Sequence, residues 1–400
     1  MGVDDEWMEQ QERGWRDPGK WVCQRCVGDD AYLRHLVRVK LAAVVCSYCR
    51  SQKRKAAPLS TLMDALMRGV KYSYSDEANA GCPYDKDFSI EYMSSEDVLQ
   101  QVLDSQELEW ADALVSDVAN AFTNTGWVDA PDGEWMGAHH HERLHWSWKS
   151  FADAVKHRSR FHFQITSSVR RYGEDLVGVH EMLPFLGKFV RRHRLVRSLP
   201  AATDLYRVRP GKHPHTVKEL GAPEKENVKA GGRMNPAGIP YLYLAFDENT
   251  ALAETRVAQG QEITVSQWSP IRALQVIDLS RCLRSPSVFS EKRPEYEMKQ
   301  FLYAFRDEIS KTVAHDGSEH VEYVPTQVVS EYFAQAFTFG AGEQVDGLVY
   351  PSAAEDGGKN LVVFPRRGRD TSGLQGLPFA ALKFGTARSG RVHYSGHSVV

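Results

Sequence analysis

Apolar residues recur at helical spacing between about residues 58 and 198. In LSTLMDALMRGV (residues 59–70) they lie three and four positions apart, and in SSEDVLQQVLDS (residues 94–105) a similar stripe follows two serines and two acidic residues. A serine followed by acidic residues and an apolar stripe is a typical helix start. The pattern therefore predicts a mainly α-helical domain over residues 58–198, and Pro200 marks its end.

The second half of the chain has a different pattern. Short apolar or alternating runs such as LYRVRP (205–210) and IPYLYLAF (239–246) are typical of β-strands. Helical patterns such as NTALAETRVA (249–258) lie between them. Strands and helices mixed in one stretch predict an α+β domain with a mixed β-sheet core over residues 199–385. The glycine-, serine- and arginine-rich residues 386–400 are predicted to form a flexible tail.

Four of the six cysteines form two close pairs with the spacing C-x2-C-x19-C-x2-C. They are Cys23, Cys26, Cys46 and Cys49. Two such pairs of thiolates complete a tetrahedral zinc site, and the intervening chain folds round the ion. We therefore predict a small four-cysteine zinc module over residues 1–57. The zinc is expected to be structural, because four thiolates leave no open position for a substrate; the alternative is four unrelated thiols.

Charge and composition indicate where such a protein acts. The chain has 400 residues and a net charge of −3, which implies neither a nucleic-acid nor a membrane partner. No apolar run approaches the ~20 residues that a membrane-spanning helix needs. The acidic start MGVDDEWMEQQ lacks the pattern of a secretory signal. These features predict a cytoplasmic protein and leave its oligomeric state open.

A basic cluster near the cysteines favours an alternative partner. Its members lie between the two cysteine pairs or just after the second: Arg34, Arg38, Lys40, Arg50, Lys53, Arg54 and Lys55. Such a cluster can contact phosphates, so nucleic-acid binding through the N-terminal region is an alternative. A run of charges is more often a solvated surface.

Two groups of histidines are also candidates for chemistry. In GAHHHERLHWSWK, His141 and His145 are four residues apart and can share a metal on one helix face, but the pattern H-E-x-x-H is missing. A polar loop that leads into a helix is the favoured interpretation. In HRSRFHF, Arg158 and His162 are spaced somewhat more closely than the arginine and histidine of HEPN ribonucleases. A ribonuclease in the helical region is thus a further alternative.

One carboxylate in the C-terminal half has a notable setting. Glu254 follows an alternating strand, and Asp247 or Asn249 is expected to cap the short helix that carries it. By itself, Glu254 is better explained as an exposed helix residue. Arg207 lies on a strand between apolar positions, where a charge needs a partner. Ser352 ends a later strand, before a loop with two glycines.

Together and in this order, these motifs resemble the RES-domain family, named for an arginine, a glutamate and a serine. The resemblance covers about residues 200–366. Met234 departs from the aromatic residue, usually tryptophan, that is common at its position. The matching positions are Arg207, Gly231, Gly232, Arg233, Asn235, Gly238, Tyr243, Ala251-Leu252-Ala253-Glu254, Asp346-Gly347, Tyr350, Ser352 and Asn360.

The resemblance implies a fold similar to that of ADP-ribosyltransferases, and it implies consumption of NAD. It implies that Glu254 stabilises positive charge on the ribose as nicotinamide leaves. Arg207 would hold the pyrophosphate through its planar donors, and Ser352 would hydrogen-bond the ribose or the amide. These three residues are the predicted catalytic set. The predicted NAD-contacting set is Arg207, Arg233, Asn235, Tyr243 and Tyr350.

The same resemblance implies a biological role. Small RES proteins are toxins that are typically paired with an antitoxin, and some RES proteins carry a HEPN-like N-terminal domain, which matches the layout of this chain. The prediction is a toxin-like NAD glycohydrolase that causes growth arrest or defence by NAD depletion and is restrained by a protein partner. One alternative is an ADP-ribosyltransferase that modifies a protein or a nucleic acid. An alternative of another class is a zinc-dependent nucleic-acid-binding protein with a non-catalytic C-terminal half.

Overall fold

The structure is a computed structural model that divides into two compact units. The first comprises Met1–Arg143 with Leu283–Phe301, and the second comprises Leu144–Cys282 with Leu302–Val400. The residues that the structure describes are 3–76, 79–82, 91–135, 137–163, 176–281, 286–311, 317–365, 382–393 and 398–399.

The N-terminal part is mainly helical. Its elements are α1 (Val3–Arg13), β1 (Trp21–Val22), α2 (Ala31–Val39), β2 (Ala57–Pro58), α3 (Ser60–Ser73), β3 (Tyr74–Asp76), α4 (Ser95–Ser105), α5 (Asp112–Ala121) and β4 (Trp127–Asp129). The start of α4 is the predicted one: the side chain of Ser94 accepts a hydrogen bond from the backbone of Asp97, and the Asp97 carboxylate accepts one from the backbone of Ser94. Both predicted helices, at residues 59–70 and 94–105, are therefore confirmed.

The first unit includes residues 283–301, which lie far along the chain. Val288, Phe289 and Tyr296 belong to the same buried core as Leu66 of α3. In addition, Arg68 Nε donates to the backbone oxygen of Phe289 at 3.1 Å. The compact units therefore do not follow the segments 1–57, 58–198 and 199–385, because packing joins pieces that are distant in the chain. Those domain limits stay predictions.

From residue 140 onward the chain alternates helices and strands. The elements are α6 (His140–Asp153), a π-helical segment (Ala154–Arg158), α7 (Met182–Arg192), β5 (Val196–Leu199), β6 (Leu205–Pro210), α8 (Val217–Leu220), β7 (Leu242–Ala245), α9 (Glu248–Thr255), β8 (Glu262–Pro270), β9 (Leu274–Asp278), α10 (Arg293–Ser310), α11 (Glu319–Glu322), α12 (Val324–Gln335), β10 (Gly347–Pro351), β11 (Lys359–Val363), β12 (Leu382–His393) and β13 (Ser398–Val399). No helix in the described ranges is long and apolar enough to cross a membrane.

The predicted mixed sheet is present. Among the described residues, nine strands lie in the order β13-β12-β8-β6-β7-β11-β10-β9-β5. Strands β10 and β9 pair in parallel, and every other neighbouring pair is antiparallel. The α+β class is therefore confirmed.

The first half of the segment predicted as a tail pairs with the sheet. Residues 386–393, the first half of that segment, form the end of β12, in which Arg388 pairs with Val265 and Arg391 with Glu262 of β8. Val392 is buried. Pairing in a sheet uses backbone groups, so a glycine-, serine- and arginine-rich segment can still extend an edge where a neighbouring strand offers free partners.

The two faces of the sheet carry different cores, and this decides where side chains can meet. One face packs Val208, Ala245 and Val265 against Ala251 and Leu252 of α9. The other packs a second group around Trp268: Leu205, Leu220, Leu242, Leu244, Leu274, Val276, Val349, Leu361 and Val363. Successive residues of a strand point to opposite faces, so β6, β7 and β8 each contribute to both cores.

Candidate active site

Glu254 lies one residue before the end of α9. Asp247 is the residue that caps this helix: its side chain accepts hydrogen bonds from the backbone and the hydroxyl of Thr250, at 2.8 and 2.7 Å. Arg256 follows the helix with a left-handed φ of 47°, so the chain turns away directly after the carboxylate. Glu254 itself is exposed. The helix thus presents this carboxylate at its end, on the α9 face of the sheet.

Two neutral side chains hold the Glu254 carboxylate. Ser352 Oγ and Asn360 Nδ2 each donate to Glu254 Oε1 at 2.6 Å. Asn360 is buried on β11, and Ser352 follows the last residue of β10. Of the described residues, none hydrogen-bonds the second carboxylate oxygen, Oε2. The carboxylate is therefore fixed through one oxygen and keeps the other for a ligand.

The hydroxyl of Ser352 is fully engaged. Its oxygen accepts hydrogen bonds from the backbone nitrogens of Ala354 and Glu355, both at 3.1 Å. Its proton goes to Glu254. A hydroxyl has one proton to donate. In this arrangement Ser352 therefore orients the carboxylate.

Tyr350 is buried near both Glu254 and the glycine-rich bend. Burial raises its pKa well above the ordinary value of 10, and the neighbouring Tyr243 and Glu254 raise it further, while Arg233 opposes the rise. The phenol thus stays neutral and lies within electrostatic reach of both the carboxylate and the guanidinium. Tyr350, Tyr243, Glu254 and Arg233 therefore lie in one region of the second unit.

The bend GGRMNPAG is built around Asn235 and Tyr243. The Tyr243 hydroxyl donates to Asn235 Oδ1 at 2.7 Å and accepts from the backbone nitrogen of Met234 at 2.9 Å. Asn235 Nδ2 donates to the backbone oxygen of Ile239 at 2.8 Å. A Cβ on Gly232 would come within 2.6 Å of Asn235 Oδ1 and 2.8 Å of the Tyr243 hydroxyl, so glycine is needed for this close approach. Asn235 and the Tyr243 hydroxyl therefore support the bend.

Arg233 projects from that bend. Its Nη1 donates to the backbone oxygens of Ile309 and Lys311, and its guanidinium lies 5.3 Å from the ring centre of Tyr323. It lines a cavity of about 310 Å³. A second cavity, of about 970 Å³, is lined by Ser352, and Glu308 and Lys311 line both cavities. The two cavities therefore adjoin.

Arg207 lies on the opposite face of the sheet. Its neighbours Tyr206 and Val208 pack on the α9 side, whereas Arg207 Nη1 donates to the backbone oxygens of Leu220 and Gly221. Burial and, to a smaller extent, the nearby charge of Arg209 lower its pKa to about 10. The structure thus brings together Glu254 and Ser352 of the predicted catalytic set and places Arg207 elsewhere. Asn360, which the motif contained without an assigned role, is the additional partner of Glu254.

The four paired cysteines lie together near the N-terminus. The Sγ atoms of Cys23 and Cys26 are 3.7 Å apart, those of Cys23 and Cys49 are 3.6 Å apart, and those of Cys26 and Cys46 are 3.8 Å apart. Sulfur atoms round a tetrahedral zinc, with bonds of about 2.3 Å, lie roughly 3.8 Å from one another. A hydrogen bond from the backbone of Ser51, helped by the other cysteines, lowers the pKa of Cys49 to about 7, whereas burial raises the pKa of Cys23 and Cys26. The cluster has the size that a tetrahedral metal site requires.

The histidines of the GAHHHERLHWSWK stretch make defined side-chain contacts. The helix α6 begins at His140, as expected for a loop that leads into a helix. His141 Nδ1 lies 2.7 Å from Glu297 Oε2. His139 stacks on Tyr72, with ring centres 4.0 Å apart. In the described ranges, His141 and His145 are not in a joint group of potential metal ligands, whereas Asp132, His139 and Glu297 each have one potential ligand atom within 4.8 Å of the others.

The remaining candidates are at the surface. Arg158 forms an ion pair with Asp153 at 2.7 Å, and both side chains are about half exposed. His162 is exposed, and the chain beyond residue 163 lies outside the described residues until 176. Of the basic cluster, Lys53, Arg54 and Lys55 are exposed. The ribonuclease and nucleic-acid alternatives stay predictions.

Two family models match the chain. Residues 41–169 match HEPN/RES N-terminal domain 1, and residues 204–379 match the RES domain. No curated protein matches, and no solved structure matches. RES domains belong in general to NAD-related enzymes of toxin–antitoxin systems. The chain is thus a member of the RES-domain family that carries an N-terminal HEPN/RES domain.

Proposed function

We propose that this protein cleaves the bond between nicotinamide and ribose in NAD, with Glu254 as the central catalytic residue. The observation that supports this most directly is the carboxylate of Glu254, held through Oε1 by Ser352 and Asn360 and open at Oε2. The RES domain that contains it belongs to an NAD-related family. A fixed carboxylate is the group that this reaction requires.

The reaction breaks the bond between the pyridinium nitrogen and the ribose C1′. Nicotinamide leaves with the bonding electron pair as a neutral base, so it needs no strong acid. Positive charge builds on the ribose, which resembles an oxocarbenium ion in the transition state. Water then bonds to C1′ and loses one proton, which gives ADP-ribose. Glu254 Oε2 stabilises the charge and can accept that proton.

The neutral partners of Glu254 are important for this role. A carboxylate paired with an arginine or lysine would already have its charge balanced in the ground state. Ser352 and Asn360 orient the group but contribute no positive charge. The full negative charge is therefore available when the ribose becomes positive, which is how a preorganised group lowers a barrier.

Arg233 is the cation that we propose for the pyrophosphate of NAD. Two backbone oxygens and the ring of Tyr323 orient its guanidinium, and it lies within electrostatic reach of Tyr350 as Glu254 does. The larger adjoining cavity adds Arg281, Lys311 and Lys359 near Ser352. Its volume of about 970 Å³ is at the upper end of the range of ligand pockets. Arg207 is then a structural residue that supports the backbone at Leu220 and Gly221.

Replacing Arg233 and Arg207 separately tests this assignment. Arg233→Met is expected to lower kcat/KM for NAD by about 100-fold, and Arg233→Lys by less, because a lysine keeps the charge but loses the planar donors. Arg207→Met is expected to leave the rate per folded molecule unchanged and to cost about 1.5–3 kcal/mol of stability through its lost hydrogen bonds. Nicotinamide release and thermal unfolding measure the two effects. Loss of activity in a stable Arg207→Met variant would return the catalytic role to Arg207.

Ser352→Ala is a second test, directed at the orientation of Glu254. The change removes one hydrogen bond to a carboxylate, which is worth about 1.5–3 kcal/mol, so kcat should fall by about 10- to 100-fold. The KM for NAD should change little, because Ser352 acts through Glu254. Ser198→Ala, at an exposed position on β5, is the matched control. An increase in KM with unchanged kcat would show instead that Ser352 binds the substrate directly.

The cysteine cluster is proposed to hold a structural zinc ion. Its donors are four sulfurs at near-tetrahedral spacing, which suits zinc. The toxin-like role and a protein antitoxin are proposed from the family alone, and the cytoplasmic location stays a prediction from the sequence. A member that consumes NAD without restraint would kill its own host, so a restraining partner is expected.

The deciding experiment incubates the purified full chain with NAD and follows free nicotinamide and the ADP-ribose product. Release with equimolar free ADP-ribose supports the glycohydrolase. Release only after addition of protein or nucleic acid, with label from NAD retained on the acceptor, supports the transferase alternative. If nicotinamide is released under neither condition by folded protein, with cell extract also added, the proposal is wrong.

A further inference from the structure

Three potential metal ligands meet in the first compact unit, away from the cysteines in sequence. Asp132 lies in a short 3-10 turn (Pro131–Gly133), His139 precedes α6, and Glu297 lies on α10. One ligand atom from each lies within 4.8 Å of the other two. The sequence offers no spacing motif for this set, because Glu297 is more than 150 residues from the other two.

Two of these three residues carry a buried polar atom that has no hydrogen-bond partner among the described residues. Glu297 is only 3% exposed, yet its Oε1 has no hydrogen-bond partner among the described residues. The same holds for the buried Nδ1 of His139. A buried carboxylate oxygen without a partner is costly, because burial removes its water and supplies nothing in exchange. A bound cation would satisfy both atoms at once.

The opposite sides of the same groups are already held. Glu297 Oε2 accepts from the backbone nitrogen of His141 at 2.8 Å and lies 2.7 Å from His141 Nδ1. His139 Nε2 lies 3.2 Å from Ser73 Oγ, and its ring stacks on Tyr72. Outer hydrogen bonds of this kind orient metal ligands and leave the inner atoms free to coordinate. The supporting contacts of a metal site are therefore in place.

We propose that Asp132, His139 and Glu297 bind one divalent transition-metal ion. Two carboxylate oxygens and one imidazole nitrogen suit manganese, iron, cobalt or zinc, whereas calcium and magnesium prefer oxygen ligands only. Donor atoms round one ion, at about 2.1 Å each, lie no more than about 4.2 Å apart. Asp132 is the exposed member, and its side chain would move toward the other two ligands to bring all three donor atoms within that distance. Solvent positions complete the coordination.

Arg293 regulates the affinity of this site. Its guanidinium forms an ion pair with Asp132 Oδ1 and lies 4.9 Å from the ring centre of Tyr72. The two carboxylates and this arginine leave a net charge of −1 at the site. An incoming ion must share Asp132 with Arg293. A cavity of about 490 Å³ lined by Asp132 and Arg293 provides access from solvent.

The test measures binding of Mn²⁺ and Co²⁺ to the full chain, with the cysteine cluster loaded with zinc beforehand. Loss of the free Mn²⁺ signal in electron paramagnetic resonance counts bound manganese, and the visible spectrum of Co²⁺ reports whether sulfur coordinates. We expect one saturable ion per chain and a cobalt spectrum without sulfur. Asp132→Asn and Glu297→Gln should each weaken metal binding by at least about 100-fold. This is more than is expected from the loss of a residue that only hydrogen-bonds a metal ligand.

The controls distinguish a built site from incidental charge. Glu134→Gln removes an exposed carboxylate from the same loop and should leave binding unchanged. Arg293→Met should tighten binding, the opposite direction to the ligand variants, which a purely structural role of the cluster does not produce. If Glu297→Gln does not fold, Asp132→Asn suffices, since asparagine tolerates the left-handed φ of 60° at that position. Absence of saturable binding of both metals, or equal losses in Asp132→Asn and Glu134→Gln, would overturn the proposal.

Discussion

Glu254→Gln is expected to lower nicotinamide release from NAD by about 1,000-fold, because it removes a fixed charge that stabilises the transition state. Glutamine has nearly the same shape as glutamate, and its side-chain oxygen can still accept from Ser352 and Asn360. The change therefore removes the negative charge and little else. Because the barrier depends on that charge, kcat should fall far more than KM rises.

The stability of the same variant should hardly change. Glu254 is exposed, and substitutions at exposed positions usually alter the free energy of unfolding by less than about 0.5 kcal/mol. The measurement is a time course of nicotinamide release at saturating NAD, together with thermal unfolding of both proteins. Glu248→Gln, in the first turn of the same helix, is the matched control and should keep full activity.

A fully active Glu254→Gln variant would contradict the proposed mechanism. It would mean that the carboxylate is a surface charge that Ser352 and Asn360 happen to contact. A variant that is inactive but also unfolds at a much lower temperature would point to a structural role. The Ser352→Ala result then separates the two, because an orienting residue lowers kcat without lowering stability.

Cys46→Ser is expected to remove one equivalent of zinc per chain and to unfold the segment around the cysteines. Cys46 and Cys23 are buried, and the cluster beneath them is small, with Ala56 and the partly buried Trp21 and Tyr48 as neighbours. Nearby residues such as Val22, Val27 and Leu33 belong to the larger core of the first unit, so the unfolding should be confined to the loops that carry the cysteines. Structural zinc supplies about 10–16 kcal/mol in small modules, which exceeds the stability of most domains.

The measurement combines zinc content with thermal unfolding of the purified chain. Cys82→Ser is the control, because Cys82 lies outside the cluster and should retain the zinc content of the original protein. A chelator added to the original protein should reproduce the Cys46→Ser effect. Equal zinc content in the Cys46→Ser and Cys82→Ser variants would show that the four sulfurs are unrelated thiols.

Local sequence patterns predicted the local structure well. The capping box at Ser94, the cap at Asp247 and the strand at Leu205–Pro210 each depend on residues within a few positions of one another. The spacing of the cysteines likewise predicted a cluster, because each pair is close in the chain. Backbone hydrogen bonds and side-chain periodicity act over such short distances, so the sequence alone carries this information.

Contacts between distant residues required the tertiary structure. Alternation along LYRVRP puts Arg207 and Arg209 on one face of a strand, but it does not say which face α9 covers. Packing of Val208 against α9 decided that, and it separates Arg207 from Glu254. Asn360 reaches Glu254 only because β11 pairs with β7, the strand that leads into α9.

The amino-acid order alone was therefore enough to identify the family and the mixed α+β class, since these follow from motifs and their succession, whereas the hydrogen bond between Ser352 and Glu254 was seen only in the folded chain. Three features depended on the folded chain: the placement of Arg207, the contact of Asn360 with Glu254, and the group formed by Asp132, His139 and Glu297. In each case the residues come from segments that are far apart in the sequence, and their spacing follows no helical or strand period. Only the packing of the sheet and the helices determines which segments meet.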